Sequence, residues 1–303
     1  MDRLSFSLGS AIISLVVCLG ILSSCTSRNP VGPIQILLVP SQENRILVEN
    51  GNVLRTWLET DLQQPIEVKV PVNYTAVIEA FGSKRADVAF MNSFGYLLAR
   101  KKYGAQARLI AVAQGKTEYR GQIIVRKGKV KDVADLHGKT FGFVSPISGS
   151  GYITALKYLR EKKITIKDQS FLGSHDAVVT AVYQGRVDAG ATYYVDDEGG
   201  IPQDARRLVK TQFPDVFEKV ERLALTEPLP NEPVVFRGDM PENQKLAIIK
   251  SLQKFIATDL GRKTFRELYH YENLIPVTET VFDSLEQEFA RLGLAPEKTV
   301  SGQ

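Results

Sequence analysis

The chain has 303 residues, a formal net charge of +4, 44% hydrophobic residues and two cysteines. Without a basic stripe interleaved with aromatic residues, so small a charge excess gives no indication of nucleic-acid binding and is at most a favourable background for an anionic ligand. The length is comfortable for two domains.

The N-terminal segment has the pattern of a secretory signal. After Arg3, residues 4–22 are apolar apart from Ser and Gly, and small residues precede Cys25. This pattern resembles the lipobox of bacterial lipoproteins, which implies that residues 1–24 are a signal peptide and that Cys25 carries a diacylglycerol. Two or more acyl chains give stable anchoring. The alternative is an uncleaved membrane helix, which needs about 20 apolar residues, but the interspersed Ser and Gly favour the lipoprotein.

The rest of the chain alternates short apolar segments with amphipathic helical segments. The predicted strands are residues 34–39, 66–70, 88–91, 108–114, 140–144, 170–172 and 189–192. The predicted helices are residues 45–62, 75–81, 94–103, 152–160, 177–184, 242–260 and 277–292. This alternation predicts an α/β fold in which mostly parallel sheets are flanked by helices.

Two similar units indicate two lobes of the same design. In residues 82–89 and again in 185–190, a Gly ends a helix and an Asp, Asp87 or Asp188, precedes the next strand. Both units are explained by structure alone, since Gly closes helices and Asp shapes turns. Because ligands bind at the carboxyl ends of parallel strands, we expect the ligand site where the loops after these strands meet.

Residues 145–152 are the most informative segment. They follow a predicted strand and open a predicted helix, where free backbone N–H groups attract anions. The hydroxyls of Ser148 and Ser150 add donors at the same place. A single Ser would be an ordinary N-cap, but two Ser interleaved with two Gly favour an anion site. Three other strand ends are expected to face the same cleft: Asn92-Ser93, 173–176 and 193–198.

Several segments together resemble the periplasmic phosphate/phosphite/phosphonate-binding proteins of ABC transporters. They are residues 74–80, 173–177, 187–191 and 230–239, and the resemblance runs from about residue 35 to about residue 255. Ser-x-Ser-Gly-Tyr, Gly-Ser-His-Asp and Pro-Asn-Glu-Pro form a specific combination in this order. The resemblance implies a two-lobed, type II-like binding protein with its ligand cleft between the lobes.

The resemblance implies the partners of the protein, and the C-terminal helices, which need a sheet to cover, indicate how the chain divides into lobes. We expect lobe one to comprise residues 31–121 plus 229–303 and lobe two to comprise 122–228, joined by hinges near 119–123 and 224–228. The expected ligand is a phosphorus oxyanion (phosphonate, phosphite or phosphate), and the expected partners are an ABC transporter permease and, through the lipid anchor, a membrane. We expect a monomer in the periplasm or on the outer face of the cell membrane, without nucleic acid, metal or cofactor.

The resemblance also implies which residues hold the ligand. They are Tyr74 from lobe one, Ser148, Gly149, Ser150 and His175 from lobe two, and Asn92 and Ser93 as donors at a helix start, with Tyr193 and Glu227 as further candidates. A neutral His175 that merely lies at a helix start beside Asp176 is the alternative for that residue. His270 falls in an aromatic run that we expect at the surface, without a function.

This chain departs from the family pattern at two positions. Gly149 stands where the family often has Thr, so that one hydroxyl donor is missing, and Met91 stands where some members place an aromatic donor. Asp196 and Glu227 align loosely with the acidic residues that bind an aminoalkyl tail in aminophosphonate binders.

The sequence does not support an enzyme. It contains no Gly-x-Ser-x-Gly elbow, no Walker pattern and no His/Cys cluster at metal-ligand spacing. A binding protein for another small molecule, such as a sulfonate, a thiamine precursor or an amino acid, stays open because two-lobed folds serve many ligands. Tyr193 and Tyr194 could stack on an aromatic ligand, whereas an amino acid would need an Arg for its carboxylate.

Overall fold

The computed structural model describes residues 32–291. The predicted signal segment and the lipidation site Cys25 therefore lie outside the described residues, as does the end of the last predicted helix. No helix between residues 32 and 291 is long and apolar enough to span a membrane.

The described chain alternates strands and helices as the hydrophobic pattern predicts. Its first part contains β1 (Ile34–Leu38), α1 (Asn44–Leu62), β2 (Ile66–Lys69), α2 (Tyr74–Gly82), β3 (Val88–Phe90), α3 (Ser93–Tyr103), β4 (Gln106–Val112) and β5 (Glu118–Arg126). Its middle part contains β6 (Thr140–Phe143), α4 (Thr154–Glu161), β7 (Asp168–Phe171), α5 (His175–Tyr183), β8 (Ala189–Tyr194), α6 (Val216–Lys219) and β9 (Val220–Pro230). Its last part contains β10 (Pro233–Phe236), α7 (Glu242–Ile256), α8 (Asp259–Tyr269), β11 (Asn273–Pro276) and α9 (Asp283–Arg291).

The strands form two separate sheets. The first has the order β11-β4-β10-β3-β1-β2, and the second has the order β7-β6-β8-β5-β9. In the first sheet β1 pairs in parallel with β2 and β3, and in the second β6 pairs in parallel with β7 and β8. The two sheets flanked by helices confirm the predicted α/β architecture.

Each sheet is mixed, so the proportion of parallel pairs is smaller than the hydrophobic pattern predicts. β10 enters the first sheet between β3 and β4, antiparallel to both, and β11 adds an antiparallel edge. In the second sheet β5 pairs antiparallel with β8 and β9. The sequence pattern did not predict four strands, β5, β9, β10 and β11, because they do not alternate regularly with helices.

The core is continuous from one sheet to the other. On one face of the first sheet, Leu47, Leu54 and Leu58 of α1 are fully buried together with residues of α7 and α8. On its other face a second cluster joins Ile78 of α2 to residues of the second sheet such as Phe141. A shared core holds the strand ends of the two sheets near one another.

The prediction of one continuous helix over residues 242–260 is wrong in its extent. α7 ends at Ile256, and α8 begins at Asp259 with Thr258 as its N-cap, whose hydroxyl accepts a hydrogen bond from the Gly261 N–H at 2.9 Å. A Cβ at Gly261 would collide with the carbonyl oxygen of Phe255. The two helices therefore turn sharply where the apolar spacing alone suggested continuity.

The recurring Asp residues have the structural role expected of them. The Asp87 carboxylate accepts a hydrogen bond from the Gln35 N–H at 2.8 Å. The Asp188 carboxylate accepts one from the Thr140 N–H at 2.9 Å. In both sheets the side chain before a strand thus satisfies an N–H group at the start of the neighbouring strand.

Candidate functional site

A cavity lies where the loops after the strands of the first sheet meet the loops after the strands of the second. Its enclosed volume is about 70 Å³, so it suits a small ligand. Six of the residues expected to bind a ligand line it: Tyr74, Asn92, Ser148, Ser150, His175 and Tyr193.

The serines lie on a widened helical turn that follows β6. Residues Gly149–Ile153 form a single π-helical turn before α4, and the Ser148 hydroxyl accepts a hydrogen bond from the Gly151 N–H at 3.2 Å. Only Gly fits at position 151, because a Cβ there would collide with the Val144 side chain. Ser148 and Ser150 are both buried. Ser148 therefore caps the turn and lines the cavity at the same time.

Tyrosine hydroxyls from helix α2 and from strand β5 face these serines. Tyr74, at the first turn of α2, lies beside Ser148, and Tyr119 of β5 lies beside Ser150. Burial raises the pKa of both phenols, so they stay neutral. The cavity thus presents uncharged O–H groups that can turn toward an acceptor.

His175 and Tyr193 form the adjoining wall. The two rings pack edge to face with their centroids 5.0 Å apart. The backbone N–H of His175 donates to the Ser41 carbonyl at 3.0 Å, which links the start of α5 to the loop after β1. The ring atom Nδ1 is buried without a partner. The site expected to bind the ligand therefore contains an unsatisfied imidazole nitrogen.

Asn92 contributes through the start of α3. Its side-chain oxygen caps the helix by accepting a hydrogen bond from the Gly95 N–H at 2.6 Å. Because the oxygen is used in this way, the amide NH₂ is the group of Asn92 that can donate to a ligand. Met91 lies buried in the core cluster rather than on the cavity wall.

Three of the expected ligand residues do not line the cavity. The Ser93 hydroxyl donates to the carbonyl oxygens of Pro230 and Asn231, at 3.0 and 3.1 Å. A Cβ at Gly149 would lie 2.7 Å from the Leu229 side chain, so packing explains why this chain has no larger residue there. Glu227 is exposed and forms an ion pair with Lys157.

The cavity also contains polar residues that the sequence did not predict as ligand residues. Glu232 lies on its wall, where the Tyr271 hydroxyl donates to the carboxyl group at 3.4 Å and burial raises the pKa of that carboxyl. Glu232 belongs to the Pro-Asn-Glu-Pro motif, which indicates the family but does not by itself indicate a site. Gln42 and Arg207 also line the cavity. They lie in segments without a recognisable pattern.

The expectation that His270 lies at the surface is wrong. His270 is buried and lines the cavity. It is the C-cap of α8 with a left-handed φ of 66°, and this conformation turns the chain back toward the cavity. The aromatic run around His270 therefore packs against the cavity and does not lie at the surface.

Among residues 32–291, no group of three His, Cys, Asp or Glu side chains could hold a metal ion. The chemistry that the cavity offers is hydrogen bonding by hydroxyl, amide, imidazole and guanidinium groups, with one carboxyl group among them.

Two relatives resemble this chain in sequence. A probable ABC transporter phosphite binding protein, PhnD1 of Prochlorococcus marinus (strain MIT 9301), is 27% identical over 205 residues, which is 61% of this chain and 66% of that protein. The phosphate-import protein PhnD of Mycolicibacterium smegmatis is 25% identical over 176 residues, which is 53% of this chain and 54% of that protein. The alignments thus span just under two thirds of the first relative and about half of the second.

The fold is also shared with a solved structure. PhnD1 of Prochlorococcus marinus in complex with methylphosphonate superposes with a TM-score of 0.74, at 18% identity, over 86% of this chain and 98% of that one. At this identity the likeness concerns the fold, and it confirms the periplasmic-binding-protein architecture. The family model for "ABC transporter, phosphonate, periplasmic substrate-binding protein" matches residues 36–282. This match covers most of the chain, which therefore belongs to the periplasmic substrate-binding proteins of phosphonate ABC transporters.

Proposed function

We propose that this protein is the extracytoplasmic substrate-binding component of an ABC importer and that its cavity captures a phosphorus oxyanion such as a phosphonate, phosphite or phosphate. The observation that carries the proposal is the convergence of buried hydroxyl groups, Ser148 and Ser150 from one side and Tyr74 from the other, on one small cavity. In this role the protein hands its ligand to a permease and performs no chemistry on it.

Neutral donors are sufficient for a buried oxyanion. A hydrogen bond to a charged group contributes ~1.5–3 kcal/mol, because each donor replaces part of the lost hydration. Several such bonds can offset desolvation and still leave micromolar or tighter affinity, ~8 kcal/mol or more. The hydroxyls of Tyr74 and Ser148 both line the cavity and would donate to the ligand.

We expect Ser148→Ala, Ser150→Ala and Tyr74→Phe each to weaken the binding of methylphosphonate, phosphite or phosphate roughly ten- to a hundred-fold. The reason is the loss of one hydrogen bond to a charged group, worth ~1.5–3 kcal/mol. Calorimetric titration of the processed protein measures the affinity, with sulfate as a competing oxyanion.

The control for this prediction is Ser93→Ala. Ser93 is also buried, but its hydroxyl donates to backbone carbonyls rather than lining the cavity, so its loss should reduce stability and leave affinity almost unchanged. If all three cavity variants bind every phosphorus oxyanion as the parent does, the proposed function is wrong.

We also propose that the protein closes on its ligand, with lobe one formed by residues 31–121 plus 229–303 and lobe two by 122–228. Support comes from the sheets, since the strands between Ile34 and Val112 and those between Pro233 and Pro276 form one sheet and those between Glu118 and Pro230 the other. The bond from the His175 N–H to the Ser41 carbonyl joins the two halves directly.

Opening of the cleft breaks that bond, so the ligand-free protein should populate a more extended form. Small-angle scattering should show a smaller radius of gyration when a bound oxyanion is added, because the lobes rotate about the β5 and β9 segments. An unchanged radius on saturation with a ligand whose binding calorimetry has verified would contradict closure.

His175 is neutral in the folded protein. Burial lowers its pKa from 6.5 to about 3, so the folded state disfavours the protonated form that the unfolded chain adopts below pH 6.5. The stability contributed by the neutral imidazole is therefore present above pH 6.5 and is lost progressively as the pH falls toward 3.

Between pH 6.5 and pH 4, the free energy of unfolding of the ligand-free parent should fall more steeply than that of His175→Gln. The reason is that glutamine at position 175 does not titrate in this window. Urea unfolding at a series of pH values measures the difference between the two slopes. Equal slopes would show that His175 does not titrate as its burial implies.

We further propose that the protein is anchored to the membrane by a diacylglycerol on Cys25, as the lipobox-like pattern before it implies. Cys25→Ser should leave an unprocessed precursor without acyl chains, because no thiol remains to be lipidated. Metabolic palmitate labelling of the parent and the variant checks this, and labelling that persists in the variant would rule out Cys25 as the site.

A further inference from the structure

A basic residue lies on the cavity wall away from the serine turn. Arg207 belongs to a short 3₁₀ turn, Ala205–Val209, that follows the loop after β8. The turn is held by a buried ion pair, in which Arg206 donates to the Asp204 carboxylate at 2.7 Å and to the Val220 carbonyl at 2.9 Å. With Arg206 engaged in this way, its neighbour Arg207 is the arginine that reaches the cavity.

Arg207 has donors that the protein uses only in part. Its guanidinium lies beside the Tyr193 hydroxyl, whereas its Nε is buried without a partner. Buried donors in proteins are nearly always satisfied, and leaving one unpaired is unfavourable. An unpaired guanidinium N–H beside a ligand cavity is therefore suited to an acceptor that the ligand brings.

The cavity is electrically polarised. The charge of Arg207 acts on Tyr193 and contributes to the lowered pKa of His270. Glu232 instead acts on the phenols of Tyr74 and Tyr119 and helps to raise their pKa values. Arg207 follows β8 of the second sheet and Glu232 precedes β10 of the first, so the cation and the carboxyl group come from opposite sides of the cavity.

Arg207 is also the permanent cation among the described residues that line the cavity. The imidazoles of His175 and His270 do not share that role, because burial lowers their pKa values to about 3 and about 4. A second negative charge on a ligand would lose its hydration in the cavity, and this cost must be offset by a cation. Arg207 is placed to supply that cation.

We propose that the preferred ligand is an organophosphonate that also carries a carboxylate, with the phosphonate at the Ser148–Ser150 turn and the carboxylate bound by Arg207. The planar guanidinium matches a carboxylate geometrically, since it can present two parallel N–H donors. Phosphite and methylphosphonate carry no second acidic group for Arg207 to bind. This inference rests on the proposed function and assigns a ligand class to the same site.

The test uses pairs of ligands that differ only in the terminal group. The processed protein is titrated calorimetrically with 3-phosphonopropionate against propylphosphonate, and with phosphonoacetate against ethylphosphonate. In at least one pair, the parent should bind the carboxylated ligand about ten-fold more tightly, or better, than the ligand without the carboxylate. This is the gain expected for an added bond between charged groups. In Arg207→Gln this ratio should fall to about one, and Arg207→Lys should keep part of it.

Arg222→Gln is the matched control for loss of a positive charge. Arg222 is an exposed residue of β9 whose guanidinium stacks on the Tyr194 ring, 4.6 Å from its centroid, and it does not line the cavity. Its variant should keep the parent ratio.

The outcomes separate the two proposals. Equal affinity of the parent for both members of each pair overturns the carboxylate inference while the proposed function stands. If Arg207→Gln weakens the binding of all phosphonates alike and leaves the affinity ratio unchanged, Arg207 contributes to closure of the cavity and does not bind the carboxylate. This result also overturns the inference. Failure of every phosphorus compound to bind, with binding of an amino acid such as glutamate, would overturn the proposed function itself.

Discussion

Hydroxyl groups from two sides converge on one cavity, and the rest of the site depends on this arrangement. Tyr74 lies beside Ser148, and Tyr119 lies beside Ser150. Hydroxyls can donate or accept by rotation, so they need no fixed charge and can turn their donors toward an oxyanion when one binds. Charged donors could not do this, because their mutual repulsion would destabilise the empty state.

The placement of these hydroxyls depends on the segment where the chain crosses between the sheets. Asn231 is buried there, and its amide donates to the carbonyls of Ala111 and Lys116 at 3.0 and 2.9 Å. Its backbone N–H donates to the Thr117 carbonyl at 2.8 Å. These bonds tie the end of β9 to the start of β5. The neighbouring Glu232 is thereby held on the cavity wall, so the Pro-Asn-Glu-Pro motif has both a structural and a site component.

The elements with a regular hydrophobic period were predictable from the sequence. The helix of α1 and the parallel strands β1, β3 and β6 lie within a residue or two of their predicted bounds. The π-helical turn was predictable in position, since two Ser alternate with two Gly there, but its widened geometry was not. Strands β5 and β9 were missed because their stabilisation comes from pairing with each other along their length, which no local pattern records.

The sequence by itself determined the α/β class, the family and the polar residues at the strand ends, because periodicity, helix starts and short motifs are local properties of the chain. Only the tertiary structure decided which of those residues share the cavity. It brought in Arg207, Glu232 and His270 from distant loops, and it assigned the Ser93 hydroxyl to backbone carbonyls and Glu227 to Lys157. The reason is physical: a side chain's role follows from the partners that the packed chain places around it, and these partners are far away in sequence.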